Sequence, residues 1–406
     1  MDPANKSISR IKGITQLKIL FASRGLFPYY YGGACRFSIL LIEYLKNFPC
    51  KIDLIHPLDN QHREKRTFFD SSENVSEFHV EYGLSIYSYS KNIDKFIKGN
   101  NYDVAYSDGF ALSRCLKNIT YPVILNRHGY NWLQPQWYRD YLKFNPFSAV
   151  KEMSLIIPRR ILEKYYVTKY DYLISLGGKL TDVLTKELKV PKERVIELPN
   201  GVDLEYLSSN NQRDFNEPRI PNSFLFVGGY QYRKGIYKLF QIFNELDPSI
   251  KLYVIGEGFK SRHKYLNQID NLIKADNISI LGMVSDEELI HWYNKVECLI
   301  LPSLAEGLPT VILEAMACGL PVIATDTGAV STAVSSKNGF VVKPNDGEDL
   351  KQSIIKFINL PLNRKQQMGT ESRKIVQDKF LWINLVKEFY KTLEKIHSSD
   401  KVTISK

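Results

Sequence analysis

The chain lacks several things, and each lack excludes a class of protein. Among its 406 residues no run approaches 18 consecutive apolar positions, so no membrane-spanning helix is expected. The first stretch, MDPANKSISRIKG, carries charge but no apolar segment of the kind a secretory signal needs, and does not read as a signal peptide. Cysteine is scarce: five residues, at positions 35, 50, 115, 298 and 318, with no CxxC pair. An odd, scattered count fits reduced, mostly buried thiols and a cytoplasmic location. There is no internal repeat of 20–50 residues, no helix-turn-helix signature and no clustered set of zinc ligands. Nucleic-acid binding would therefore rest on charge alone. GEGFKS at 256–261 is not a dinucleotide fingerprint after a first strand, which argues against a nicotinamide enzyme.

What is present is positive charge and a regular alternation. Lys and Arg number 54 against 44 Asp and Glu, a formal net charge of +10. This favours anionic partners: phosphate-rich ligands, acidic membrane surfaces or nucleic acid. The length exceeds one ordinary core and suggests two domains. In the second half, residues 224–228, 252–256, 278–282, 297–302 and 321–325 are short β-branched-rich runs separated by helix-length segments. The first half repeats the theme at 18–23, 51–57, 102–107, 122–127, 170–176 and 194–199. Near-continuous apolar strands alternating with helices predict α/β architecture, two doubly wound Rossmann-like domains with parallel sheets covered on both faces. The polar, Pro-bearing stretch 208–222 reads as the linker, and 380–396 carries a helical apolar stripe. The expected division is 1–214, 215–379, and a final segment 380–406 that crosses back to the first domain.

Ligands in open parallel sheets bind at the carboxyl ends of strands, so residues just after each strand are the candidates. One such stretch is EGLPTVILEAMACGLPVIATDTG, residues 306–328. From Val311 to Cys318 every side chain is apolar except Glu314. Pro309 suits a first helical turn and Gly319 a C-terminal stop, which predicts a helix over 310–318. A buried carboxylate inside it needs donors. Either Glu314 pairs with a nearby Lys or faces solvent, or it accepts from a ligand's vicinal hydroxyls, while the amides near 308–311 form a helix start that attracts phosphate.

The whole stretch PSLAEGLPTVILEAMACGLPVIATDTG resembles the Glu-x7-Glu signature of glycosyltransferase family 4, retaining enzymes of the GT-B fold. Glu306 and Glu314 have that spacing, between a strand ending in Pro302-Ser303 and the strand that holds PVIAT. The resemblance extends along the chain through FPYYYGGACRFSILLIEYL with Gly32-Gly33, Arg127-His128-Gly129, LPNGVD (198–203), FVGGYQYRKG (226–235), VIGEG (254–258), LGMV (281–284) and NGFVV (338–342).

The resemblance implies transfer of a sugar from a nucleotide diphosphate donor, held mainly by the C-terminal domain, to a glycan or lipid-linked acceptor held mainly by the N-terminal one. It implies that Glu314 binds the ribose hydroxyls and that Glu306 sits by the donor sugar as a positioning and electrostatic residue. The amides of Leu308, Pro309 and Thr310 lie near sugar and diphosphate by the same match, although Pro309 itself carries no N–H. Lys234 is the matching lysine, with Arg233 beside it, and Gly282 and Met283 contribute backbone contacts to the base. Gly33 lets the backbone approach the diphosphate or acceptor. Gly32, Gly33 and His128 are assigned to the acceptor side, His128 also to bonding at the donor sugar or relaying the acceptor proton. Asn200-Gly201 reads as a turn at the interdomain edge. No Asp-x-Asp motif of metal-dependent enzymes occurs, so neither metal nor other cofactor is expected. The family's Gly-Arg pair is here Gly228-Gly229, and Arg233, Arg24 or Arg36 is the expected replacement cation.

Residues 132–170 hold seven Lys/Arg, three Asp/Glu and nine aromatics, a composition that suits an anionic membrane surface or, alternatively, an aromatic-rich helix pair over the sheet. A peripheral position at the inner membrane face follows from the first reading. Other readings of the chain are a catalytically weak donor-binding subunit of a larger complex and a GT-B nucleotide-sugar hydrolase or epimerase.

Overall fold

In the computed structural model the described residues are 16–23, 33–58, 68–69, 72–82, 85–128, 146–204, 219–258, 273 and 276–403. They form two sheets, and every strand pairing is parallel. The first has seven strands: β1 (Leu17–Ala22), β2 (Cys50–Leu58), β3 (Val75–Glu81), β4 (Val104–Asp108), β5 (Val123–Asn126), β6 (Tyr172–Ser175) and β7 (Val195–Glu197), in the order β3-β2-β1-β4-β5-β6-β7. The second has six: β8 (Ser223–Val227), β9 (Lys251–Ile255), β10 (Ile278–Gly282), β11 (Cys298–Leu301), β12 (Val322–Thr325) and β13 (Gly339–Val342), in the order β10-β9-β8-β11-β12-β13. The principal helices are α1 (Gly33–Leu45), α2 (Ile86–Ile97), α3 (Pro146–Val167), α4 (Ile236–Glu245), α5 (Asp286–Lys295), α6 (Thr310–Ala317), α7 (Gly347–Ile358), α8 (Leu362–Lys379) and α9 (Trp382–Thr403).

The strand order reverses between β1 and β4 in one sheet and between β8 and β11 in the other, so both are doubly wound. A reversal leaves a crevice at the carboxyl ends of the two strands, because the helices that follow them lie on opposite faces. The segments after β8 and β11 hold Arg233, Lys234 and Glu306, and β4 ends at Asp108. The apolar runs behave as expected: β8, β11 and β12 are buried along their whole length.

Two strands were not anticipated. β3, VSEFHVE, is an edge strand with mostly half-buried residues, so it lacks the continuous apolar run that marks a central strand. β13 lies within the stretch quoted only as NGFVV. The helix expected over 310–318 is α6, one residue shorter. Pro309 is its N-cap at φ −63°, and Gly319 turns left-handed at φ +71° beyond it.

Of the expected linker only residues 219–222 are described, and they are fastened to the second sheet's layer. Arg219 donates to the carbonyls of Tyr293 (2.9 Å), Cys318 (3.2 Å) and Gly319 (3.3 Å). The segment expected at 380–396 is the longer α9, which lies against the first sheet's layer. Trp382, 1% exposed, meets Phe37 edge-on at 5.1 Å between ring centroids. Tyr390 stacks on Phe48 at 4.9 Å and donates its hydroxyl to the Pro49 carbonyl at 3.0 Å. Where the chain enters α9 it runs beside an earlier crossing: the Val202 amide donates to the Phe380 carbonyl (2.8 Å), and the Trp382 amide to the Val202 carbonyl (3.2 Å).

Candidate active site

The short turn after β8, Tyr232–Lys234, ends on Gly235 at φ +71°. A Cβ there would lie 2.0 Å from the Pro302 carbonyl oxygen, so only glycine lets this turn approach the end of β11. The approach delivers two cations to one carboxylate. Lys234 Nζ donates to Glu306 Oε1 at 2.6 Å, and Arg233 NH1 stands 3.7 Å from Glu306 Oε2. The two side chains of the close pair are largely shielded, at 15% and 10% exposure.

Glu306 is presented by a loop clamped from three directions. Gly307 abuts the backbone of His128: a Cβ on it would lie 2.3 Å from the His128 carbonyl oxygen and 2.8 Å from Leu176 Cδ1. The Ala329 amide donates to the Gly307 carbonyl at 2.8 Å, with Gly328 at φ +54° below. Asn200 Nδ2 donates to the Leu308 carbonyl. Residues of both layers thus meet at Glu306, Gly307 and Leu308, and α6 opens its first turn at the next residues, with its amides and positive dipole end.

His128 follows β5. Its Nε2 lies 3.2 Å from Asp108 Oδ1 and 3.4 Å from Asn126 Nδ2. A single ring nitrogen cannot donate to the carboxylate and accept from the amide at once. The shorter contact, to a carboxylate that is 1% exposed, favours Nε2–H donating to Asp108. That fixes the ring and leaves Nδ1 as acceptor in the neutral form. Asn126 Nδ2 donates to the Tyr106 hydroxyl at 2.5 Å, and Phe37 covers the imidazole edge-on at 5.1 Å. Arg127 turns the other way, to an ion pair with Glu163 on α3.

The question of Glu314 has a specific answer. It is 7% exposed, accepts from the Tyr293 hydroxyl at 3.0 Å, and faces Arg36 NH1 of α1 at 3.6 Å. The partner cation is an arginine from the other layer, not a neighbouring lysine. Burial and the adjacent carboxylate push the Tyr293 hydroxyl well above the ordinary phenol range, so it stays protonated and donates. Arg36, one expected replacement for the missing arginine, is directed at Glu314.

The other candidates fall as follows. Met283 is 67% exposed just beyond Gly282, which has φ +83°. Leu308 and Pro309 are buried and Thr310 half-buried. Gly33 is the first residue of α1. Gly32, Gly129 and Arg24 lie outside the described residues. A Cβ on Gly229 would meet nothing nearer than Gln231 Nε2 at 3.8 Å, so space does not explain the missing arginine. Among the described residues no group of three or more His, Cys, Asp or Glu side chains is placed to hold a metal ion. Sequence reasoning missed Asp108, Tyr293 and Gly307. Asp108 carried a signal, since it stands just after an expected strand.

Residues 208–375 match the family model described as glycosyl transferases group 1. Over 390 residues the chain is 28% identical to an uncharacterised glycosyltransferase of Methanocaldococcus jannaschii, covering 94% of this chain and 99% of that one. Among solved structures, sucrose-phosphate synthase from Thermosynechococcus elongatus superposes with a TM-score of 0.74 at 17% identity, covering 94% of this chain and 100% of the other. Anabaena HepE in complex with UDP-glucose does so with a TM-score of 0.64 at 17% identity, covering 93% and 100%. At such identities the two structures speak for the fold alone. Sequence family and fold together define the class: the chain is a glycosyltransferase of the GT-B fold.

Proposed function

We propose that the chain is a family 4 enzyme that moves a hexose-type sugar from a nucleotide diphosphate sugar to a glycan or lipid-linked acceptor, with retention of anomeric configuration and without a metal. The observation that carries this reading is the Lys234–Glu306 pair beside Gly307, which abuts the His128 carbonyl between the two sheets. In the proposed step the acceptor oxygen bonds to the anomeric carbon on the face from which the phosphate leaves. The bond from that carbon to the phosphate oxygen breaks, and the departing phosphate oxygen takes the acceptor proton. Lys234 stabilises the growing phosphate charge, and its three N–H donors allow it to hold Glu306 and a phosphate oxygen together. Glu306 orients the sugar, and His128, set by Asp108, bonds to sugar and acceptor. HepE, on the same fold, is complexed with UDP-glucose, which supports a nucleotide-sugar donor.

The test is nucleoside diphosphate release from a panel of UDP-, GDP-, ADP- and dTDP-sugars with chelator present. Slow release from one donor, lost in Glu306→Ala, is expected. Release that needs added divalent metal would overturn metal independence, and release unchanged in the variant would overturn the site. Glu314 has a separate test, because hydrogen bonds to a charged group contribute about 1.5–3 kcal/mol. Glu314→Ala is expected to weaken nucleotide binding about tenfold or more by calorimetry, and an equal Kd would remove its ribose role.

A further inference from the structure

α3 is apolar on two faces. Its inner face includes the buried Val167, the half-buried Ile156 and Tyr166, and the buried Glu163, which is paired with Arg127. Its outer face carries Val150, Met153, Ile157, Ile161 and Tyr165, spaced so that they form one stripe along the helix. These side chains are open to solvent, Ile157 at 70% and Ile161 at 64%. Of the ten large hydrophobic residues exposed among the described residues, six lie on α3, so the exposure is a local feature and not a general surface property.

The flanks say what covers the stripe. The exposed charged side chains described on α3 are Lys151, Arg160 and Lys164, all basic; Arg160 stands 3.9 Å from Glu187, and Lys169 follows with its ammonium 5.3 Å from the Tyr165 ring centre. The helix has two acids, Glu152 and Glu163, and of these Glu163 is turned inward. Lysine and arginine stems can lie along an apolar stripe while their heads reach anionic headgroups, which is how an interfacial helix sits. No helix among the described residues is long and apolar enough to cross a membrane, so α3 can lie on a bilayer but not span it. A second copy is a poorer occupant. A two-fold pairing of α3 with itself would bring these basic flanks onto their own copies.

We infer that the outer face of α3 docks the protein on an anionic membrane surface. The inference rests on the helix surface and stands apart from the transferase reading. Its place in the fold adds a consequence: the Arg127–Glu163 pair ties α3 to the residue beside His128, so docking would bring the cleft close to the lipid headgroups.

The test is flotation of the full chain with vesicles of phosphatidylglycerol and phosphatidylcholine, against phosphatidylcholine alone, at low and high salt. Binding to the anionic vesicles, weakened by salt, is expected. The double variant Ile157→Glu, Ile161→Glu should lower bound protein about tenfold or more with an unchanged Tm, since both side chains are in solvent. Lys164→Glu should fall between. No flotation at low salt, or equal flotation of the double variant, would overturn the inference. So would a dimer, seen by light scattering, that the double variant dissolves without any vesicle binding. None of these readouts depends on donor turnover.

Discussion

Lys234→Ala should lower sugar transfer by about 10²–10³-fold, the loss typical when one preorganised group that stabilises leaving charge is removed. Three observations concentrate the effect here. The Lys234 side chain is 15% exposed, so its charge is little screened. Gly229 leaves the site without a second strong cation at the usual place, and Arg233 is farther from Glu306, at 3.7 Å. Removing Lys234 also leaves Glu306 with this more distant partner among the described residues. The turn itself should survive, because its Lys234 amide donates to the Gln231 carbonyl at 2.9 Å whatever the side chain. The measurements are turnover and Tm on the same preparation. Wild-type turnover would remove Lys234 from the mechanism, and a collapse of Tm with turnover would make its role structural. Lys234→Arg, which keeps the charge, should recover part of the rate.

Gly307→Ala should cost about a hundredfold or more, by geometry instead of charge. The added methyl carbon would fall 2.3 Å from the His128 carbonyl oxygen, a backbone atom that cannot swing aside. Something must move, and the neighbouring residues are Glu306 on one strand of contact and His128 on the other. Since the backbone clash lies between the two layers and the buried side chain it meets is Leu176 alone among the three nearest atoms, Tm should fall less than activity. Gly229→Ala is the control for a glycine replaced in the same region, because its Cβ would make only ordinary contacts. Full activity in Gly307→Ala would show that the layers meet differently during the reaction.

How much of this was legible in the sequence differs by kind of feature. The central strands were readable because a strand buried on both faces writes an unbroken apolar run, as in SFLFV and CLIL. β3 was not, since an edge strand alternates weakly and VSEFHVE carries charge. The residues around Glu306 and Glu314 were readable because the motif is contiguous. Their partners were not: Tyr293 reaches Glu314 across 21 positions, and Arg36 reaches it from the other layer. A sequence could say that Glu314 requires donors, but only packing could choose them. Gly307 is the sharpest case. Within its own loop nothing marks it, and its need to be glycine arises from a carbonyl about 180 positions away, seen only once both layers are in place.

The path of α9 has a consequence for the order of synthesis. Trp382 and Tyr390 cover Phe37 and Phe48, and His397 pairs with Asp103 at 3.2 Å, so aromatic surface belonging to the first sheet's layer is closed by residues made after those of the second layer. The layer begun first is therefore finished after the second. During translation the second layer, whose elements run from β8 to α8, can assemble while the first still waits for its cover, holding apolar surface open. Chains broken off before α9 would leave that surface bare permanently, and a nascent chain depends on completing α9 before the surface finds another partner.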